Sequence, residues 1–513
     1  MTRRIGWAAL AIACALACLA RSEEPQLATT HHVIHAGGKV LSYTARAGLI
    51  PILNNEAGDV HGHVFFVSYT LDRTAGQPPR PITFLWNGGP GANSVLVHMS
   101  GFGPRRIKSS DDPAKSSAAE PVIEDNDATW LEMTDLVFVD PIGTGFSRPT
   151  KVEYEAEFYS TLGDIASVAE FIRLYRTRFD LFDGPIFLAG ESYGTWRASG
   201  VAEALEKRGQ HVAGVILISG GIQMGPVSPD AVRTALFVPS RTAAAFYHKK
   251  LAPELMRDET AALKEAESWA LAEYAPAWER RDKLTDAERD AIVRQLARYT
   301  GVDPSTIDRK SLMMTSPQFT AALLRDQKLP LGRYDMRLKG EIGVGDPVAR
   351  NKVIMRYLRN EVEFKTDLAY QGIEEGYSST PQSRGIGARW VWDQYNAQDA
   401  AAGRLAATAV GSGDGPPPAQ PWLRRAMVLN PTLKVFLVAG LYDSLNSCAD
   451  NTYLVAHVQP SEFGRNITTG CYRGGHMMYD TKEARFQLKQ DAAEFIKRAG
   501  SVSSEISNGR KTQ

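Results

Sequence analysis

The chain has 513 residues, 43% of them hydrophobic and 9% aromatic, with Lys+Arg 58 against Asp+Glu 58 and a formal net charge of zero. At roughly 150 residues per domain this allows about three domains, or one large domain carrying an insertion. The charge balance excludes the basic excess expected of a nucleic-acid binder. The apolar content excludes a disordered chain, and 44 Gly and 28 Pro exclude collagen-like and low-complexity classes.

Residues 1–20 read as a signal peptide. Arg3 and Arg4 supply the positive start, and Ile5–Ala20 carries no charge. The run is too short to span a bilayer, and cleavage after Ala17 or Ala20 would export the mature chain to the periplasm or the medium. Ala15-Leu-Ala-Cys18 also weakly resembles a lipoprotein cleavage site, which leaves a lipid anchor at Cys18 open. No later stretch reads as a membrane span. Cys14 and Cys18 fall in the leader, so Cys448 and Cys471 remain, 23 positions apart. In an exported protein they suggest one disulfide, the alternative being two buried thiols. No Cys/His spacing fits a zinc site. His31, His32, His35, His61 and His63 read as strand or loop histidines, and no metal or organic cofactor is expected.

Residues near 33–70 alternate over short runs, as antiparallel strands at a sheet edge do. Ile82–Trp86, Leu136–Val139, Ile186–Ala189, Val215–Ile218 and Val435–Val438 are continuous apolar runs, the pattern of strands buried on both faces of a parallel sheet. Asp164–Arg178 has helical spacing, with Asp164 assisting its N-terminus. The sequence therefore predicts an α/β architecture with a mostly parallel central sheet and helices on both faces. Its core falls in two parts, 28–226 and 421–499. A mostly helical cap and linker, 227–420, separates them and includes an exposed loop or linker over Gly411–Pro418. A last helix is expected over Asp491–Lys497, followed by a frayed tail, 500–513. Asn466-Ile-Thr468 is a glycosylation acceptor only in a eukaryotic source.

Gly190-Glu-Ser192-Tyr-Gly194 follows the run Ile186–Ala189 and precedes a helical stretch from Ala198. This is the Gly-x-Ser-x-Gly nucleophile elbow in its required strand-turn-helix context. A serine hydroxyl needs a base, and the base needs an orienting acid. Asp443 lies just past the strand run 435–438, with Asp450 as its nearest rival, and His476 follows Gly474-Gly475. A Cys448–Cys471 bond would tie the loops carrying Asp443 and His476 together. Trp86-Asn-Gly-Gly-Pro-Gly91, after Ile82–Leu85, is a second glycine-rich loop. It lacks the Lys-Ser/Thr of a phosphate loop, so it fits a donor of oxyanion amides.

Trp86–Gly91, Pro141-Ile-Gly-Thr-Gly-Phe-Ser147, Gly190–Gly194 and the Asp443 loop with Gly475-His-Met477 together resemble the serine carboxypeptidases of the carboxypeptidase Y and cathepsin A type. The resemblance is good over about 30–225 and 430–500 and poor over the insertion. It implies an α/β-hydrolase fold and a Ser192–His476–Asp443 triad. It implies an oxyanion hole from the amides of Gly89 and Tyr193. It also implies that Asn87, the Gly88 amide and Glu191 grip the terminal carboxylate of a peptide, with Met477 lining the pocket for the leaving residue. The expected activity is release of C-terminal amino acids, the alternative being an esterase or acyltransferase on the same triad. Four positions depart from the pattern. Gly101 replaces a glutamate that partners the counterpart of Glu191. Ala92 and Asn93 replace a frequent Cys-Ser. Val139 stands where an acid often precedes Pro141. Thr195-Trp-Arg197 follows Gly194, and Arg197 reads as a surface or helix-capping arginine, the alternative being contact with a carboxylate.

Overall fold

The computed structural model describes residues 27–74, 76–108, 121–222, 224–225, 227–340, 347–372, 385–394 and 420–511. The leader 1–20 with Cys14 and Cys18, and the loop 411–418, lie outside the described residues. The main strands of the central sheet are β1 (Leu27–Ala36), β2 (Lys39–Leu53), β3 (Val60–Leu71), β4 (Ile82–Trp86), β5 (Asp135–Asp140), β6 (Ile186–Glu191), β7 (Val212–Ile218), β8 (Lys434–Gly440) and β9 (Ile467–Tyr472); the short strand Arg148–Pro149 adds to β3, and Arg105–Ile107 pairs with Ile123–Asp125 outside this sheet. Their order in the sheet is β1-β2-β3-β5-β4-β6-β7-β8-β9. Pairing is antiparallel from β1 through β5 and parallel from β5 to β9. The swap of β4 and β5, with the parallel order that follows, is the α/β-hydrolase arrangement.

Side chains alternate across a strand, and the two faces of this sheet hold two separate apolar clusters. Leu85, Phe138, Phe187, Ile216 and Phe436 point to one face. Phe84, Val137, Leu188, Val215 and Leu437 point to the other. Each fully buried side chain of this kind contributes roughly 1.5–3 kcal/mol. Both faces are covered, which is why these strands read as unbroken apolar runs. The first face packs on Leu488, Phe495 and Ile496; the second packs on Val168, Phe171, Val201 and Leu423.

The helices that matter for the site are α1 (Thr161–Arg178), α2 (Gly194–Lys207), α3 (Val238–Tyr247), α4 (Glu259–Trp269), α5 (Asp286–Thr300), α6 (Trp422–Leu429), α7 (Cys448–His457) and α8 (Lys482–Lys511). Helix α1 starts before Asp164. Ser160 is its N-cap and accepts from the Gly163 N–H, so the sequence-based start at Asp164 is corrected. Helix α2 begins at Gly194, directly after the elbow, rather than at Ala198. Helix α8 contains the expected 491–497 but runs from Lys482 through Gly500 to Lys511, where a frayed tail was expected. Strand β9 was not foreseen, because Thr468, Thr469 and Gly470 interrupt its apolar pattern. Helices α3–α5 belong to a third apolar cluster, built on Trp269, Tyr274, Leu296, Leu312 and Phe319, which packs within the segment 231–336.

Candidate active site

The elbow sits at the carboxyl end of β6. Ser192 has φ 58°, left-handed for a non-glycine residue, a strain of order 1–3 kcal/mol. Its neighbours explain the flanking glycines. A Cβ at Gly190 would collide with the Gly194 carbonyl oxygen, and one at Gly194 would lie 2.9 Å from the Asn87 carbonyl oxygen. The strain therefore falls on the serine, and the crowding falls on the glycines. The Ser192 N–H donates to the Ile218 carbonyl at the end of β7 (2.9 Å), and α2 begins two residues later.

The loop after β4 lies directly against this elbow. Trp86 Nε1 donates to the Gly194 carbonyl (2.9 Å). A Cβ at Gly88 would lie 2.5 Å from the Tyr193 nitrogen and 2.7 Å from the Glu191 carbonyl oxygen, so only glycine permits this approach. Among the described residues, the N–H groups of Gly88, Gly89 and Tyr193 donate to no acceptor. Backbone amides enclosed by protein are normally paired. Three amides without an acceptor among the described residues, on two abutting segments and one of them at the N-terminus of α2, are the kind of donor that an anionic or strongly polar oxygen uses.

Asp443 lies just past β8 and His476 just past β9. His476 Nδ1 and Asp443 Oδ2 are 2.8 Å apart, and both side chains are buried, at 4% and 0% exposure. Burial alone lowers the His476 pKa. The Asp443 carboxylate, by charge and by hydrogen bond, together with Glu191, carries it above the ordinary histidine value. Asp450, the rival acid, sits on α7 beside Ser228 and Arg233, and burial pushes its carboxyl up to about 6. Asn446 Nδ2 donates to Asp443 Oδ2 (2.8 Å) and to the Ser219 carbonyl (2.9 Å). The Ser219 hydroxyl in turn donates to the His476 carbonyl. Ser219 directly follows Ile218, whose carbonyl holds Ser192. These bonds bring the ends of β6, β7, β8 and β9 to one locus.

The Cys448–Cys471 disulfide is present, with a Cα–Cα distance of 5.6 Å. It joins the first residue of α7, five positions after Asp443, to β9, five positions before His476. Segment 331–336 closes the site from the helical insertion. The His476 N–H donates to the Tyr334 carbonyl (2.6 Å), and the Tyr334 ring lies 5.4 Å from the imidazole.

Glu191 is 2% exposed. Burial pushes its carboxyl up to about 7, against the lowering influences of His476, Tyr479 and Asn87, and with a small raising one from Asp480. The Tyr479 hydroxyl donates to Glu191 Oε2. Asn87 Oδ1 accepts from the Val97 N–H (3.1 Å). Asn87 Nδ2 lies close enough to Glu191 to favour the carboxylate, yet it makes no hydrogen bond of proper geometry. Met477, half-buried, packs against the apolar cluster on the same face as Tyr479.

The four departures resolve individually. The Tyr479 ring lies over Gly101, 3.4 Å from where a Cβ would be. Tyrosine thus fills the space above position 101 and partners Glu191. Asn93 donates to the Gln371 carbonyl (2.8 Å). The carboxylate at the end of β5 belongs to Asp140, one residue after Val139. It is buried and accepts from the Ser94 N–H (2.8 Å) and the Tyr370 hydroxyl (2.9 Å). Arg197 is neither a surface nor a capping residue. It is buried and pairs with Asp164 at 2.8 Å, a correction of the sequence-based reading. The histidines read as strand residues behave so. His61 stacks on Tyr154 and His32 on Tyr43. Among the described residues no cluster of three His, Cys, Asp or Glu could hold a metal, and no helix is long and apolar enough to cross a membrane.

Residues 41–292 match the sequence model of the family described as serine carboxypeptidase. That span includes the Asn87–Gly91 loop and the elbow and ends before Asp443 and His476. The pheromone-processing carboxypeptidase kex1 of Aspergillus niger is 30% identical over 185 residues, 34% of this chain and 27% of that protein. The corresponding KEX1 of Tuber melanosporum is 29% identical over 216 residues, 40% of this chain and 30% of that protein. The matches thus span less than a third of either curated relative. A solved prohormone-processing carboxypeptidase, Kex1Δp of Saccharomyces cerevisiae, is 16% identical, with a TM-score of 0.49 over 88% of this chain and 91% of that one.

Proposed function

Through residues 41–292 the chain belongs to the serine carboxypeptidase family, and we propose that it releases C-terminal amino acids from peptides by acyl-enzyme chemistry. The observation that carries this reading is the neighbourhood of Ser192. The elbow holds a buried Glu191 and the unpaired Tyr193 amide, the loop against it offers the unpaired Gly88 and Gly89 amides and Asn87 Nδ2, and His476 and Asp443 pair just past neighbouring strand ends.

In this reading Ser192 Oγ attacks the last peptide carbonyl, and His476 takes its proton while Asp443 stabilises the imidazolium. The oxygen that becomes negative is held by the amides of Gly89 and Tyr193. His476 then gives the proton to the departing amine, and water resolves the acyl-enzyme with His476 again as base. The Gly88 amide, Asn87 Nδ2 and protonated Glu191 donate to the free carboxylate of the substrate, and Met477 borders the leaving residue. Ionised Glu191 would repel that carboxylate. Export to the periplasm or medium belongs to the same proposal, and the Cys448–Cys471 disulfide supports it.

The test offers the purified chain and its Ser192→Ala variant an N-blocked dipeptide as free acid and as C-terminal amide. Release of the terminal amino acid from the free acid alone, abolished in the variant, is the expected result. Ser192-dependent cleavage of simple esters with no release from either peptide would replace this reading with an esterase or acyltransferase.

A further inference from the structure

Arg197 and Asp164 form an ion pair at 1% and 2% exposure. Arg197 Nε donates to Asp164 Oδ2 (2.8 Å), and Arg197 Nη1 donates to the Asn87 carbonyl (2.7 Å). The Tyr193 hydroxyl donates to the same Asp164 oxygen (3.1 Å), and the guanidinium lies 5.2 Å from the Tyr193 ring centroid. One buried charge pair therefore grips both segments that carry the unpaired amides. It holds the loop after β4 through a carbonyl, and the elbow through the side chain of Tyr193.

A buried ion pair is weak as a source of stability, because desolvation offsets the attraction. What this pair supplies is geometry. The Asn87–Gly88 bond is not among the cis peptides of the chain, so its planar trans unit directs the Gly88 N–H away from the carbonyl that Arg197 holds. A cation on that carbonyl also polarises the peptide and strengthens the Gly88 N–H as a donor. Gly89 is the next residue, and Tyr193 is held from the Asp164 side. We propose that Arg197 and Asp164 are positioning residues that clamp the Asn87–Gly89 turn to the Ser192 elbow, so that the Gly88, Gly89 and Tyr193 amides converge on the reacting carbonyl and the substrate carboxylate. The proposal rests on the reading of Ser192 as nucleophile given above.

The test compares the native chain with Asp164→Asn/Arg197→Gln, which leaves no buried charge, and with Arg197→Lys, which keeps the pair but loses the two-pronged fork. Active sites are counted by phosphonate labelling of Ser192, and rates are expressed per labelled site on an activated ester and on the free-acid dipeptide. The expected result for the double variant is full labelling with a kcat lowered about 10- to 100-fold on the ester. KM for the free acid rises as well, and Arg197→Lys falls between. A reduced folded fraction would lower the labelling and leave the rate per site intact, so it reads separately. Folded variants whose rate per site stays within about twofold of the native chain on both substrates would overturn the clamp. If the native chain cleaves the ester but neither peptide, the carboxypeptidase reading fails while the ester kcat still decides the clamp. If Ser192 does not label in the native chain, both fail.

Discussion

Tyr479 shows how a single side chain sets the behaviour of the site. Its hydroxyl donates to Glu191, and a donor to a carboxylate favours the ionised form. Burial wins nonetheless and pushes the Glu191 carboxyl up to about 7. The folded chain therefore holds a proton that an unfolded carboxyl releases near 4.5. The associated stability is fully present at acid pH and is lost as the pH rises through about 7. Replacing Tyr479 by Phe removes the donor and leaves burial unchanged, so Glu191 should keep its proton to higher pH. The alkaline fall of kcat/KM on a free-acid dipeptide is expected to move upward in Tyr479→Phe, read from profiles between pH 5 and 9. An unmoved or downward-shifted limb would contradict the role given to this hydroxyl. That Ser192 and Asp443 stand at strand ends was legible in the sequence, because apolar runs mark the strands, and the glycines beside Ser192 and before His476 mark the turns. Tyr479, Asn446 and Ser219 were not. They act through packing between strand ends, and no spacing rule links residue 479 to residue 191. Arg197 was misread because a charged residue on a helix is usually solvated, and only the tertiary neighbour Asp164 reveals otherwise.

At the scale of elements, the site depends on register between loops that leave adjacent strands. The central strands were legible because two-sided burial writes continuous apolar runs. Strand β9 escaped because an edge strand with Thr468, Thr469 and Gly470 carries little apolar signal. The Cys448–Cys471 bond spans that weak edge. It closes a loop of 23 residues, for which chain entropy gives about 3 kcal/mol of stabilisation. Cys448→Ser/Cys471→Ser is expected to lose roughly that amount in urea unfolding. Its kcat should also fall more than its KM changes, because the bond ties the chain after Asp443 to the strand that leads into His476. A variant equally stable and equally active would show that the loops keep their register unaided.

Across the whole molecule, the helical insertion takes part in the site. The Tyr334 carbonyl holds the His476 amide, the Met336 N–H donates to the Tyr442 carbonyl (2.9 Å), and the Ser447 hydroxyl donates to the Leu236 carbonyl. The insertion, which has an apolar cluster of its own, is thus tied by hydrogen bonds to the segments that carry Asp443 and His476. The sequence predicts a mostly helical segment over 227–420 but not this contact, which is made largely by backbone groups of a loop. In the proposed reading burial keeps Glu191 neutral, and neutral Glu191 reads a free C-terminal carboxylate beside Ser192. The most direct measurement is the ratio of kcat/KM on an N-blocked dipeptide to that on its C-terminal amide, from pH 5 to 9, for the native chain and Glu191→Gln. A large ratio is expected at acid pH, collapsing above about 7 in the native chain. In Glu191→Gln, a neutral donor at every pH, that fall should be absent. A ratio near one throughout, or a fall that survives in Glu191→Gln, would contradict it.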